Sequence, residues 1–271
     1  MSAPSVLVGG GFDDIRARDI RFLEEAAKFG EVTVLLLDDE EFGRRNGKPP
    51  KFPFAERAYF LNAVRFVKRV VGIDSTDTLG NGNRPSTDVW LDRETDSGEN
   101  SYQASARRLG IPFRIIPQSK LRGFPVSHPP MSSTERKKVA VTGCYDWFHS
   151  GHVRFFEEAS VYGDLTVFVG NDACIRELKG EGHPLLPQDE RRYVVGAIRY
   201  VNHAVISSGN GWLDFDAEIR VLKPDILAVN EDGDKGGKRE YCRELGIEYL
   251  VLKRTPAPGL PKRSSTELRG F

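Results

Sequence analysis

Apolar residues fall along this chain in two alternating rhythms. Short, mostly apolar runs, at residues 6–8, 34–37, 138–142 and 165–169, alternate with stretches whose apolar positions lie three and four apart. The first rhythm belongs to strands buried on both faces, the second to helices with one apolar stripe. Val153, Phe156 and Ala159, with Phe155 on their flank, predict a helix over 153–162. Tyr193, Val194, Ala197, Ile198 and Val201 make a single stripe and predict a helix over 189–201. Further strands are expected at 205–206, 226–229 and 249–252, with helices near 213–222 and 238–245. Strand–helix alternation predicts an α/β fold in which helices flank a parallel sheet and ligands bind outside the carboxyl ends of the strands.

The pattern is written twice. Val6, Gly10, Phe12 and Asp13 fall on Val139, Gly143, Tyr145 and Asp146 at an offset of 133, and residues 21–26 fall on 154–159. After a one-residue slip Pro53, Glu56, Arg57 and Tyr59 match Pro187, Glu190, Arg191 and Tyr193. Both copies end in Leu-Arg-Gly-Phe, at 121–124 and 268–271. Two copies of one domain are therefore expected, over 1–124 and 138–271. They are joined by a linker at 125–137 that is rich in Pro, Ser and charge and has almost nothing to bury. Residues 74–86, with Gly80, Gly82 and Pro85, read as a loop inside the first copy.

Composition narrows the partners. The 271 residues carry 39 Lys and Arg against 39 Asp and Glu, so no global basic field exists to hold nucleic acid or an anionic membrane. No apolar stretch approaches the roughly 20 residues of a membrane-spanning helix. The amino terminus lacks the basic start of a signal peptide. Cys144, Cys174 and Cys242 show no paired spacing, so neither a disulfide framework nor a zinc site is indicated. A soluble cytoplasmic protein is the expectation.

The first strand–helix junction of the second copy holds the candidate chemistry. Gly143 allows backbone to approach a ligand, and Cys144, Tyr145, Asp146, Trp147 and Phe148 lead to His149 and His152 at a helix start. Backbone N–H groups there attract phosphate. Two imidazole donors beside them suit a reaction that gains charge on phosphate oxygens. The same pair is also a capping feature, and with Asp146 it offers spacing suited to a metal.

Residues 143–152 resemble the HxGH signature of the nucleotidylyltransferase superfamily. The segment at 177–180, the helix end at 197–201, and Arg254-Thr255 followed by Arg263, Ser264, Ser265 and Thr266 follow the order seen in glycerol-3-phosphate and ethanolamine-phosphate cytidylyltransferases. The tandem arrangement also resembles the latter. This resemblance implies two Rossmann-like domains and a cytidylyltransferase that moves CMP from CTP to a small phosphorylated alcohol, a step in phospholipid-precursor synthesis. Residues 143–146 and 178–180 also resemble heptose-phosphate adenylyltransferases, so an adenylyltransferase acting on a sugar phosphate is the alternative, and a non-catalytic nucleotide sensor a third.

The resemblance assigns roles residue by residue. His149, His152 and Lys179 would be catalytic. Gly143, Cys144, Tyr145, Asp146, Arg199, Glu231, Arg254, Ser264, Ser265 and Thr266 would bind the nucleotide. Arg191 and Trp147 would meet the acceptor. Mg²⁺ would bridge the phosphates, with no protein metal site. The spacer at 256–262 is longer than in the family, which would let it cover the site. In the first copy Arg16 and Asp19 replace the two histidines, and Gln118, Ser119 and Lys120 stand at the positions of Ser265, Thr266 and Glu267. That copy is expected to be catalytically dead and retained for structure, making the chain an intramolecular pseudo-dimer that could pair again as a homodimer.

Overall fold

The computed structural model describes residues 4–75, 79, 87–94, 102–125 and 135–268. Most of the expected loop at 74–86, the linker residues 126–134 and the last three residues lie outside the described residues. The chain divides into two compact units, Met1–Gly123 and Phe124–Phe271.

The first unit runs β1 (Ser5–Gly10), α1 (Ala17–Ala27), β2 (Glu31–Leu37), α2 (Asp39–Asn46), α3 (Phe54–Ala63), β3 (Val67–Ile73), β4 (Val89–Arg93), α4 (Gln103–Leu109) and β5 (Phe113–Ile116). The second runs β6 (Lys138–Gly143), α5 (Ser150–Ser160), β7 (Asp164–Val169), α6 (Asp172–Lys179), α7 (Gln188–Gly196), β8 (Val201–Ile206), α8 (Asp216–Leu222), β9 (Ile226–Asn230), α9 (Lys238–Leu245), β10 (Glu248–Leu252) and α10 (Ser265–Leu268). Each unit holds one sheet of five parallel strands, ordered β3-β2-β1-β4-β5 and β8-β7-β6-β9-β10. The strand order is the same in both.

Burial follows position in the sheet. The inner strands β7 and β9 are buried almost end to end, whereas the edge strand β8 alternates. One face of the second sheet packs Ala140, Phe168 and Leu227 under Phe215, Ile219 and Tyr241. The equivalent face of the first packs Leu7, Leu35 and Trp90 with Tyr102. The reversal from α5 into β7 is tight enough to require glycine. A Cβ on Gly163 would lie 2.0 Å from the Lys137 carbonyl oxygen, as one on Gly30 would from that of Pro4.

The sequence reading differs from the structure in two helices. The stripe expected to carry one helix over 189–201 is split: α7 ends at Gly196, and Val201 opens β8, pairing with Leu165. The buried first residue of β8 continues the apolar stripe of the helix before it, so periodicity alone cannot find the boundary. The helix α6, which ends at Lys179, has no counterpart among the expected helices. All three cysteines are free thiols. Among the described residues no helix is long and apolar enough to cross a membrane.

Candidate active site

The loop between β6 and α5 is held in a costly shape by two clamps. Tyr145 adopts φ 53°, a left-handed conformation costing a non-glycine residue about 1–2 kcal/mol. On one side of it, the buried Arg191 donates from Nη1 to the Cys144 carbonyl (2.6 Å), from Nε to that of Leu186 (2.9 Å) and from Nη2 to Asp172 (2.7 Å). On the other, the buried Asp146 carboxylate accepts the backbone N–H groups of Leu185 (2.6 Å) and Leu186 (3.0 Å). The first unit repeats this bond for bond. Phe12 has φ 45°, Arg57 reaches the carbonyls of Gly11 (2.6 Å) and Phe52 (2.9 Å) and the carboxylate of Asp39 (2.7 Å), and Asp13 accepts from Lys51 and Phe52. Gly143 is needed because the loop folds the Tyr145 ring back over it; a Cβ there would lie 2.8 Å from the ring.

Imidazoles cap α5. His149, its N-cap residue, accepts the Gly151 N–H at Nδ1 (3.1 Å), and His152 Nδ1 accepts the His149 N–H (3.3 Å). Both Nδ1 atoms act as acceptors, which assigns the remaining proton of each neutral ring to Nε2. The rings stack at 4.0 Å, with Phe148 on the far face of His152 and Tyr145 at its edge. His149 is buried and its Nε2 has no hydrogen-bond partner among the described residues. Burial, reinforced by the charges of Arg254 and Arg263, pushes His149 down to about 3. His152 is held well below the ordinary range by desolvation and then by His149. Both are therefore neutral donors at neutral pH.

These groups line a cavity of about 500 Å³ outside the carboxyl ends of the strands. Gly143, Cys144, Tyr145, Asp146, His149, His152, Lys179, Arg254 and Ser265 all border it. Arg254 is fixed by Asp232 (2.5 Å) and the Arg263 carbonyl (3.1 Å), and the Ser265 hydroxyl donates to the Trp147 carbonyl (3.1 Å). Burial raises the Cys144 thiol, against the nearby Lys179 and Arg191.

Other expected residues lie elsewhere. Arg191 is committed to its three bonds and does not border the cavity. Arg199 is exposed in the turn entering β8, at the amino end of the parallel sheet, whereas the cavity is at the carboxyl end. Glu231 is exposed, and its neighbours Asn230 and Asp232 face the cavity instead. Ser264 caps α10 by accepting the Glu267 N–H (3.2 Å). Trp147 contributes its carbonyl and does not line the cavity; Phe148 packs against His152. Thr266 lies in α10, and its side chain is outside the described residues.

Sequence reasoning missed Lys238 and His183. Lys238, at the start of α9, lines the cavity, donates to the Gly233 carbonyl (3.2 Å) and is pushed down by burial. A cation opening a helix after the glycine pair Gly236 and Gly237 was the available signal. His183 Nδ1 lies 3.6 Å from Asp146 and had no motif to mark it.

Comparison with known proteins identifies the scaffold. The sequence model of the cytidylyltransferase-like family matches residues 140–270. An FAD synthase of Ferroglobus placidus is 37% identical over 120 residues, covering 43% of this chain and 75% of the relative. The chain belongs to the nucleotidyltransferase family. Another FAD synthase, of Methanocella paludicola, is 32% identical across 49% of this chain and 93% of its own length. The bifunctional protein HldE of Aliarcobacter butzleri is 33% identical across 44% of this chain, a match spanning only 24% of that longer relative. The nucleotidyltransferase match falls on the unit that carries the two histidines.

Proposed function

We propose that this nucleotidyltransferase transfers an adenylyl group from ATP to a phosphorylated acceptor, releasing pyrophosphate. The observation that carries the reaction type is the stacked pair His149 and His152, tied by Nδ1 to the first turn of α5 with both Nε2–H donors left for a ligand. An acceptor phosphate oxygen attacks the α-phosphorus, and the bond to the bridging oxygen breaks toward pyrophosphate. An ionised phosphate needs no general base. Catalysis is then positioning plus neutralisation of developing charge, through the imidazoles, the α5 N–H groups, Lys179 and Arg254.

The base rests on the relatives. A synthase of flavin adenine dinucleotide makes a product that carries an adenylyl group, and two such relatives align over most of their length. That favours ATP over the CTP expected from the sequence. Cytidylyl transfer is the second reading, supported by the name of the matching family and by Arg254 beside Thr255.

The donors around the cavity are imidazole N–H, ammonium, guanidinium and backbone N–H. Among the described residues no group of three or more His, Cys, Asp or Glu could hold a metal. These groups fit phosphate oxygens, and Mg²⁺ carried in with the triphosphate would supply further neutralisation of its charge.

Pyrophosphate release with ATP and with CTP, each against a panel of phosphorylated acceptors, tests the reading. Turnover with ATP is expected. Turnover with CTP alone would replace the base, and binding without release would replace the enzyme by a sensor.

A further inference from the structure

One polar group on the β9 side of the cavity is left unused. Asn230, the last residue of β9, borders the cavity, and its Oδ1 is buried with no hydrogen-bond partner among the described residues. A buried acceptor in that state is destabilising unless a ligand or a water completes it. The neighbouring polar side chains are already committed. Asp232 pairs with Arg254 at 2.5 Å, and Lys238 donates to the Gly233 carbonyl at 3.2 Å. In the first unit the residue that closes the equivalent strand is Arg93, whose guanidinium only donates. The open amide belongs to the histidine-bearing unit.

Strand order decides what can lie against it. β6, which leads into the histidine helix, has β7 on one side and β9 on the other. α6 follows β7 and brings Lys179 to the cavity, and the loop after it brings His183. Those groups suit the phosphate of the acceptor. On the other side Asn230 and Gly151, in the first turn of α5, border the same cavity and also share a small hollow beside it. Asn230 therefore stands next to the turn that meets the α-phosphate in the proposed reaction. One oxygen and one methylene separate that phosphate from the nucleotide's sugar ring, so the sugar is the part of the nucleotide that reaches Asn230. A hydroxyl both donates and accepts, which satisfies an amide in either of its two orientations.

We propose that the Asn230 amide hydrogen-bonds a hydroxyl of the nucleotide's ribose and makes the site select ribonucleotides over deoxyribonucleotides. The inference rests on the nucleotidyl-transfer reading. ATP and CTP share this sugar, so it holds for either base.

Calorimetric titration of the full chain with ATP, 2′-deoxy-ATP and 3′-deoxy-ATP, each with Mg²⁺ and no acceptor, tests it. The same series built on CTP separates the sugar from the base. Wild type is expected to bind the ribonucleotide about tenfold more tightly than one of the two deoxynucleotides, because losing that hydroxyl leaves the amide unpaired. Asn230→Ala should weaken ribonucleotide binding about tenfold and leave that deoxynucleotide within about twofold, so the preference disappears. A residue that only shaped the cavity would weaken all of them alike. Asn230→Leu, similar in shape but without the amide, should lose the preference too. Equal affinity of wild type for ribo- and deoxynucleotides, or a preference that survives either substitution, would overturn the assignment and leave the transfer reading standing. An Asn230-dependent preference in the CTP series with no binding of ATP would support the assignment and overturn the adenylyl reading. Failure to bind any of these nucleotides would overturn both.

Discussion

Arg93 donates to the carboxylate of Asp19 at 2.8 Å, and the two stand where the other unit has Asn230 and His152. Arg93 ends β4 as Asn230 ends β9, and Asp19 is the third residue of α1 as His152 is of α5. Asp19 also accepts the Arg16 N–H at 3.0 Å, the bond His152 makes to His149. One carboxylate thus keeps the cap and silences the charge. The Arg93 guanidinium lies 4.8 Å over the Phe22 ring, so it is packed as well as paired.

Restoring the histidines should therefore not restore chemistry. Arg16→His with Asp19→His would leave Arg93 without its partner, and the first unit would still lack a counterpart of the longer segment that carries Arg254. Placed in a His152→Ala chain, the pair should leave pyrophosphate release at the His152→Ala level. Recovery of turnover would show that the first unit lacks only its imidazoles.

In the proposed mechanism, His152→Ala itself removes one Nε2–H donor from the place where charge develops. Loss of a donor of this kind costs about 10²–10³ in rate, or roughly 3–4 kcal/mol. Steady-state turnover should show the fall mainly in kcat. A variant retaining half its turnover would take this histidine out of the mechanism.

Arg191 and Arg57 make the same three bonds but serve different units. Removing either leaves buried carbonyls unpaired, at about 1–3 kcal/mol for each one. Urea unfolding should show both alanine variants destabilised, with Arg191→Ala alone lowering kcat/KM in the fraction still folded. Lysine at 191 should rescue little, because one ammonium cannot span two carbonyls and a carboxylate. An equal loss of kcat/KM from Arg57→Ala would contradict the division of roles.

Acid should destabilise the chain through its imidazoles. In the folded state His149 takes a proton only near pH 3 and His152 well below the ordinary range, whereas unfolded histidine does so near 6.5. Between those values the unfolded chain binds protons that the folded chain refuses, so stability is full above pH 6.5 and falls as pH drops toward 3. Melting temperature should decline from pH 7 to pH 4.5, and less steeply in the His149→Gln, His152→Gln double variant. Parallel slopes would mean that neither ring is held neutral.

Much of this was legible in the sequence, because buried parallel strands are unbroken apolar runs and the glycines mark the turns between them. The 133-residue register already aligned Phe12 with Tyr145 and Asp13 with Asp146, and the slip aligned Arg57 with Arg191. What could not be read was where those side chains point. Arg191 looked like a phosphate ligand because an arginine on a helix carries no sign of the carbonyls waiting for it in a loop far along the chain. Glu231 and Asn230 are neighbours, and only the exit angle of β9 decides which faces the cavity. His183 had no motif and was found by geometry alone.

The arginine clamp has a consequence for the order of folding. Its partners are 46 residues apart in one unit and 47 in the other, so the Arg57–Gly11 and Arg191–Cys144 bonds close long loops of chain. Closing a loop of that length is entropically costly until intervening strands and helices have brought its ends together. The binding loop should thus take its left-handed turn late, after the sheet around it. Substitutions at Arg191 would then speed unfolding while leaving the folding rate nearly unchanged.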